Sequence, residues 1–188
     1  MCRRISRVSR GAGGFTLIEL IVVIAIIGIL CGIAIPAFSA IVGKCSVEAV
    51  ASDITGMIRD GKGLALDGNY HAITFDVATG RVALVSGRGP DGEWNTSDDV
   101  IARSFSLRDR RGGLSFGHGS YGPLPKLASA ADGVTFSNNT LVCNPELTGN
   151  AGTVYIRSIH GAAVAITVNS IDAGYKIYKW SGKGWSRR

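Results

Sequence analysis

Three hydrophobic patterns follow one another along this chain. Residues 15–42 read FTLIELIVVIAIIGILCGIAIPAFSAIV, apolar on every side, with Glu19 as the one acid and no basic residue. At 1.5 Å per residue this run exceeds the ~20 apolar positions that a bilayer core requires, so it predicts a membrane-spanning helix. From residue 44 to 66 the pattern becomes one-sided. Val47, Val50, Ala51, Ile54, Met57, Ile58, Gly61, Leu64 and Ala65 recur at helical spacing, predicting an amphipathic helix that continues the first. Asp67-Gly68-Asn69 supplies its stop. Beyond Asn69 the period shortens to two. Ile73, Phe75 and Val77 alternate with Thr74 and Asp76, and Thr79-Gly80 turns into a second run at 81–86, a hairpin signal. Further strands are predicted at 100–107, 134–136, 141–143, 153–159, 163–169 and 175–180. Residues 87–99 read as turn, and Gly-rich 108–129, with Pro123 and Pro125, as mostly loop. The fold class that follows is α+β: a long N-terminal helix packed on an antiparallel β-sheet head, a lollipop whose two apolar stripes bury each other.

The charge pattern sets a direction. Residues 1–14 carry Arg3, Arg4, Arg7 and Arg10, no acid, and end in Gly13-Gly14 against the apolar run. Such a flank holds the N-terminus in the cytoplasm and sends the remainder across the membrane. It also accounts for most of the formal charge of +6: without these four arginines, sixteen Lys+Arg face fourteen Asp+Glu, a charge of +2. The basic balance of the whole chain is therefore a weak argument for a nucleic-acid partner. Pro36 inside the run removes one backbone hydrogen bond and is expected to kink the helix. Glu19 is the anomaly, because a carboxylate in hydrocarbon costs on the order of 2.5–3.5 kcal/mol and marks a functional position by default.

A basic leader ending in glycine, then Phe-Thr-Leu-Ile-Glu-Leu, then about twenty apolar residues with a proline, resembles the class III signal of type IV pilins and of the pseudopilins of type II secretion. The resemblance implies cleavage by prepilin peptidase between Gly14 and Phe15, and N-methylation of Phe15. It implies that Glu19 pairs with the N-terminal amine of a neighbouring subunit during filament assembly, and that Pro36 marks a local unwinding of the helix. An amine and a carboxylate that meet in a low-dielectric core attract far more strongly than in water, which offsets their desolvation. A helix ending in Met57-Ile58-Arg59-Asp60-Gly61-Lys62, a hairpin directly after it and a terminal three-strand meander are together similar to the GspH/FimT family of minor pilins and pseudopilins. Implied partners are other pilins in a filament, the peptidase and an inner-membrane assembly platform. The implied organisation is a removed leader (1–14), a transmembrane and assembly helix (15–42), an amphipathic continuation (43–66) and a periplasmic β-rich head (67–188).

Two stretches carry further candidate chemistry. Asp91, Glu93, Asn95, Ser97 and Asp99 place oxygen side chains at alternate positions, as calcium loops do, and resemble acidic calcium loops of some pseudopilins. Thr96 stands where an EF-hand requires glycine and Ala102 where it requires a bidentate glutamate, so the competing reading is a solvated turn whose Asn and Asp cap their own backbone. At the C-terminus Lys176, Lys179, Lys183, Arg187 and Arg188 interleave with Tyr175, Tyr178, Trp180 and Trp185, the composition of a surface that holds DNA through phosphates and stacking. Some FimT-type minor pilins bind DNA during natural transformation through a C-terminal Gly-Arg motif. Here the matching place reads Gly174-Tyr175-Lys176, and a last strand with a basic tail explains the same residues. Cys45 and Cys143 would lie outside the membrane, where a disulfide between them is permitted. His71, His118 and His160 stand in no triad or metal spacing, and no phosphate loop opens a helix, so no enzymatic activity is expected.

Overall fold

The computed structural model describes residues 14–125, 127 and 130–187. They fall into two compact units, the first ending at Ala37 and the second beginning at Phe38. Helix α1 (Leu17–Ala65) contributes to both, and Pro36 lies within it, one residue before the end of the first unit. In the first unit the large apolar side chains from Phe15 to Ile35 are all exposed, around the full circumference of the helix. Such a surface has to be covered by lipid or by other helices.

The second unit is built on the amphipathic half of α1. Gly43, Val47, Val50, Ala51, Ile54, Met57, Ile58, Gly61 and Ala65 are buried, and Leu64 is half-buried, as the helical spacing predicts. The helix ends at Ala65, where Gly68 adopts φ +85° and its N–H bonds the Ala65 carbonyl, a left-handed turn suited to glycine.

Two antiparallel sheets cover this stripe, where the sequence suggests one. The first runs in the order β3-β2-β1-β5, from β1 (His71–Asp76), β2 (Arg81–Gly87), β3 (Val100–Ser106) and β5 (Thr140–Cys143). The second runs β4-β6-β7-β8-β9, from β4 (Leu114–Phe116), β6 (Gly152–Ser158), β7 (Ala163–Val168), β8 (Tyr175–Trp180) and β9 (Trp185–Arg187). Their inner faces form one core with α1: Ile73, Phe75, Leu84 and Leu141 from the first sheet, Val154, Ile156, Val164 and Ile166 from the second. Phe75 joins them, edge-on to Phe116 at 6.2 Å between ring centroids and stacked on Phe136 at 5.7 Å.

Three strand expectations need correction. Residues 134–136 form only an isolated bridge, Val134 to Val154. Thr135 Oγ1 accepts the Thr153 N–H at 2.7 Å, so a side chain replaces the next backbone partner and the ladder stops. β4 lies inside the stretch read as loop. It is three residues between Gly112-Gly113 and Gly117, all at positive φ, too short to show a period. β9 lies in the stretch read as a tail, held by the pairing of Trp185 with Trp180. Nor do Cys45 and Cys143 pair: both are free, Cys45 exposed on α1 and Cys143 buried. Cys143 Sγ faces Gly61 of the helix stripe, where burial pushes its thiol up to about 11.

Candidate functional site

The junction at Gly14-Phe15 is exposed and precedes the first helical turn. Thr16 and Glu19 form a reciprocal cap there. Glu19 Oε2 accepts the Thr16 N–H at 2.8 Å and the Thr16 hydroxyl at 2.7 Å, and Thr16 Oγ1 accepts the Glu19 N–H at 3.3 Å. This is a capping box, two helix-end donors satisfied by two side chains. The Thr-x-x-Glu spacing at residues 16–19 was a sequence signal for it. The cap gives the isolated carboxylate local partners in the single chain. Residues 1–13 of the leader lie outside the described residues.

The carboxylates of the acidic loop mainly accept donors from the loop itself. Asp91 Oδ1 accepts the Glu93 N–H at 2.9 Å, and Asp99 Oδ2 accepts those of Asn95 at 2.8 Å and Thr96 at 3.1 Å. Asp98 accepts the Thr96 hydroxyl at 2.7 Å, the chief reason that its carboxyl is held below the usual range, with the Asp91 N–H adding to it. Glu93 and Ser97 are exposed, and among the described residues no three His, Cys, Asp or Glu side chains converge as metal ligands. The residue that sequence reading missed is Trp94. It is 8% exposed and packs on Ala72, Ala83 and Val85 of the outer face of the first sheet, with Arg88 over its ring at 4.9 Å. Trp94 pins the loop, and the carboxylates cap it.

The basic C-terminal residues are split between two faces. Lys179 points to α1 and donates to Glu48 Oε1 at 2.5 Å. Lys176 lies on the opposite face of β8, as alternation requires, together with Tyr178, whose register partner is Arg187. Arg188 lies outside the described residues. The four candidate cations therefore do not form one surface: Lys176 and Arg187 share a face, and Lys179 is engaged elsewhere.

A groove of about 350 Å³ opens where α1 leaves its apolar run, bounded by Ala40, Lys44 and Glu48 of the helix, by His160 and by Lys179 and Trp180. Gly43 makes this approach possible, since a Cβ there would stand 2.7 Å from Ser158 Oγ and 2.8 Å from His160 Cβ. His71, 6% exposed, has no hydrogen-bond partner for either ring nitrogen among the described residues. His118 lies edge-on to Tyr155, and His160 is exposed.

Comparison with known proteins accords with the N-terminal geometry. Residues 9–35 match the prokaryotic N-terminal methylation motif. A fimbrial protein of Moraxella nonliquefaciens is 33% identical over 123 positions, covering 50% of this chain and 76% of that protein. The chain belongs to the pilin family. A fimbrial protein of Pseudomonas aeruginosa is 32% identical over 40% of this pilin and 54% of its own length. The type IV major fimbrial protein FimA of Dichelobacter nodosus is 52% identical over 46 residues, 24% of this chain and 29% of its own. The structure of the minor pseudopilin EpsH from the type 2 secretion system of Vibrio cholerae aligns with a TM-score of 0.45 at 15% identity, over 70% of this chain and 95% of that one. Pilins and pseudopilins are structural subunits and not enzymes, as the sequence leads one to expect.

Proposed function

We propose that this pilin is a minor pilin or pseudopilin of the GspH/FimT type, processed between Gly14 and Phe15 by prepilin peptidase and N-methylated at Phe15. It is held in the inner membrane by the apolar half of α1, with residues 67–188 in the periplasm. An inner-membrane assembly platform then draws it into a type II secretion pseudopilus or a type IV pilus. The observation that supports this most directly is the placement of Glu19 two residues into the apolar half of α1, with its carboxylate turned back toward the Gly14-Phe15 junction through Thr16. Cleavage would create an amine four residues before that carboxylate. In hydrocarbon the charge of each subunit's Glu19 is offset by the amine of its neighbour.

Co-expression with a prepilin peptidase, followed by mass analysis of the N-terminus, tests the reading. The expected product begins with N-methylated Phe15, and Gly14→Val blocks its formation. Glu19→Val is processed but fails to enter a filament. A wild-type chain that keeps its leader in the presence of active peptidase overturns the proposal in favour of a plain membrane anchor. Counting surface pili and assaying secreted protein in a deletion strain separates the two assemblies: lost pili with normal secretion assigns the type IV pilus, and intact pili with stalled secretion assigns the pseudopilus.

A second reading, a DNA-binding minor pilin of natural transformation, draws on the shared face of Lys176, Tyr178 and Arg187. It requires DNA retention that is lost in Lys176→Gln with Arg187→Gln and kept in Lys179→Gln.

A further inference from the structure

The two ends of the second sheet differ in chemistry. At one end β7 begins after the turn at residues 159–162, and the adjacent turn at 181–184 joins β8 to β9. This end carries Ile159, 77% exposed at a hairpin tip where polar residues are the rule. Beside it Trp180 stacks on Tyr121 at 5.0 Å and meets Trp185 edge-on at 5.6 Å. Lys44 and Lys183 are exposed at this end, and Glu48, the acid that lines the groove among the described residues, is engaged by Lys179. At the other end of β7 the turn 169–174 carries Ile171, 83% exposed, beside Asp172; of the cations there, Lys62 donates to the Asp172 carbonyl and Arg59 to the Tyr175 hydroxyl, while Lys176 is exposed on the far face of β8. One end is aliphatic, aromatic and cationic. The other also holds a tyrosine and cations, but Lys62 and Arg59 are engaged there and the exposed isoleucine stands next to a carboxylate, Asp172.

Chain connectivity gives the first end its partner. Lys44 follows Val42, the last residue of the apolar run, by two helical positions, a rise of ~3 Å, and lines the groove itself. Tryptophan and tyrosine with lysine is the composition of a membrane interface, where rings sit at headgroup level and amines reach phosphates. We propose that this end, formed by Lys44, Ile159, Trp180 and Lys183, rests on the outer surface of the inner membrane, and that the groove beside Lys44 receives the phosphate of an anionic phospholipid headgroup. Ile159 then enters the acyl boundary, which accounts for an isoleucine at the tip of a turn. The proposal rests on the reading of residues 15–42 as a membrane span.

The test uses the full chain in lipid vesicles at high dilution, with Cys2, Cys31 and Cys45 replaced by alanine and the buried Cys143 retained. A nitroxide is placed at Ile159→Cys, Ile171→Cys or Ile29→Cys, and its collisions with oxygen and with a water-soluble nickel chelate are compared. The expected result is a several-fold higher oxygen-to-nickel ratio at position 159 than at 171. In phosphatidylcholine that contains phosphatidylglycerol the ratio at 159 rises further, and Lys44→Gln with Lys183→Gln abolishes that increment. Position 29 separates two failures. If its nitroxide does not report hydrocarbon, the membrane span itself is wrong. If it does, and position 159 is as open to nickel as 171, the docking surface is overturned while the span stands. A ratio at 159 that is insensitive to phosphatidylglycerol overturns the headgroup site. Shielding that appears only at high protein-to-lipid ratio assigns this end to a neighbouring subunit and overturns the proposal.

Discussion

Lys179 Nζ and Glu48 Oε1 lie 2.5 Å apart, linking β8 to α1 across 131 positions of sequence. Both side chains are about a third exposed, 29% and 33%, so water still screens the pair. A double-mutant cycle with Glu48→Gln and Lys179→Met is expected to return a coupling of about 1 kcal/mol, falling as salt is raised. Chemical denaturation of the four proteins measures it. A coupling near zero would make the contact incidental to the docking of the sheet on the helix.

Glycines along α1 are expected to respond in opposite senses. Gly43→Ala places a methyl against Ser158 Oγ and His160 Cβ, and Ser158 Oγ is itself bonded to the Gly112 carbonyl at 2.5 Å and to the His160 N–H at 3.1 Å. Neither neighbour can yield without losing those bonds, so the substitution costs ~1–3 kcal/mol despite alanine's better helix propensity. Gly56 and Gly63 have nothing within 4 Å of the added atom, and alanine there gains roughly 0.5–1 kcal/mol. Thermal melts of the three variants decide between these outcomes.

The helix and most of the strands were legible because each has a period long enough to count: the buried stripe from Val47 to Ala65 and the alternation around Ile73, Phe75 and Val82. β4 and β9 were not, since three residues cannot display a period, and the partner of β4 lies some forty residues further along the chain. The Gly14-Phe15 junction and Glu19 were legible because a lone acid in an apolar run stands out against everything around it. The basic tail was only partly legible from composition. Lysine content does not say which face of a strand each lysine occupies, and the partner of Lys179 is a glutamate that no local signal connects to it. Trp94 was hidden by its acidic neighbours, which drew attention to metal chemistry and away from the apolar face that the ring covers.

The cysteines give a labelling test of the core. Cys45 is exposed and Cys143 buried, with the Cys143 thiol pushed up to about 11 by desolvation, partly opposed by Lys62. At neutral pH a maleimide is expected to modify Cys45 rapidly and Cys143 only after unfolding. The sign of the linkage follows from the raised value. The unfolded thiol ionises near 9 while the folded one keeps its proton, so this group's stabilisation is full below pH 9 and is lost as the pH rises through about 11. Cys143→Ala removes that alkaline loss while lowering stability at neutral pH through the cavity it leaves. An unchanged alkaline limb in Cys143→Ala would show that another group governs it.

In the acidic loop, the anchor and the caps are expected to matter more than any ion. Trp94→Ala uncovers Ala72, Ala83 and Val85 and is expected to cost about 3 kcal/mol, with faster amide exchange across residues 88–99. Asp99→Ala orphans the N–H groups of Asn95 and Thr96, of which Asn95 is held at φ +68°, and costs ~1–2 kcal/mol. Asp91 Oδ1, Asp99 Oδ2 and Asp98 Oδ1 already accept donors within the loop, and although Asp99 Oδ1 has no hydrogen-bond partner, no three acidic side chains converge on it among the described residues. The melting temperature is therefore expected to be the same in calcium and in chelator. A calcium-dependent rise that disappears in Asp99→Asn would place a metal in the loop and make its backbone caps the metal-free arrangement.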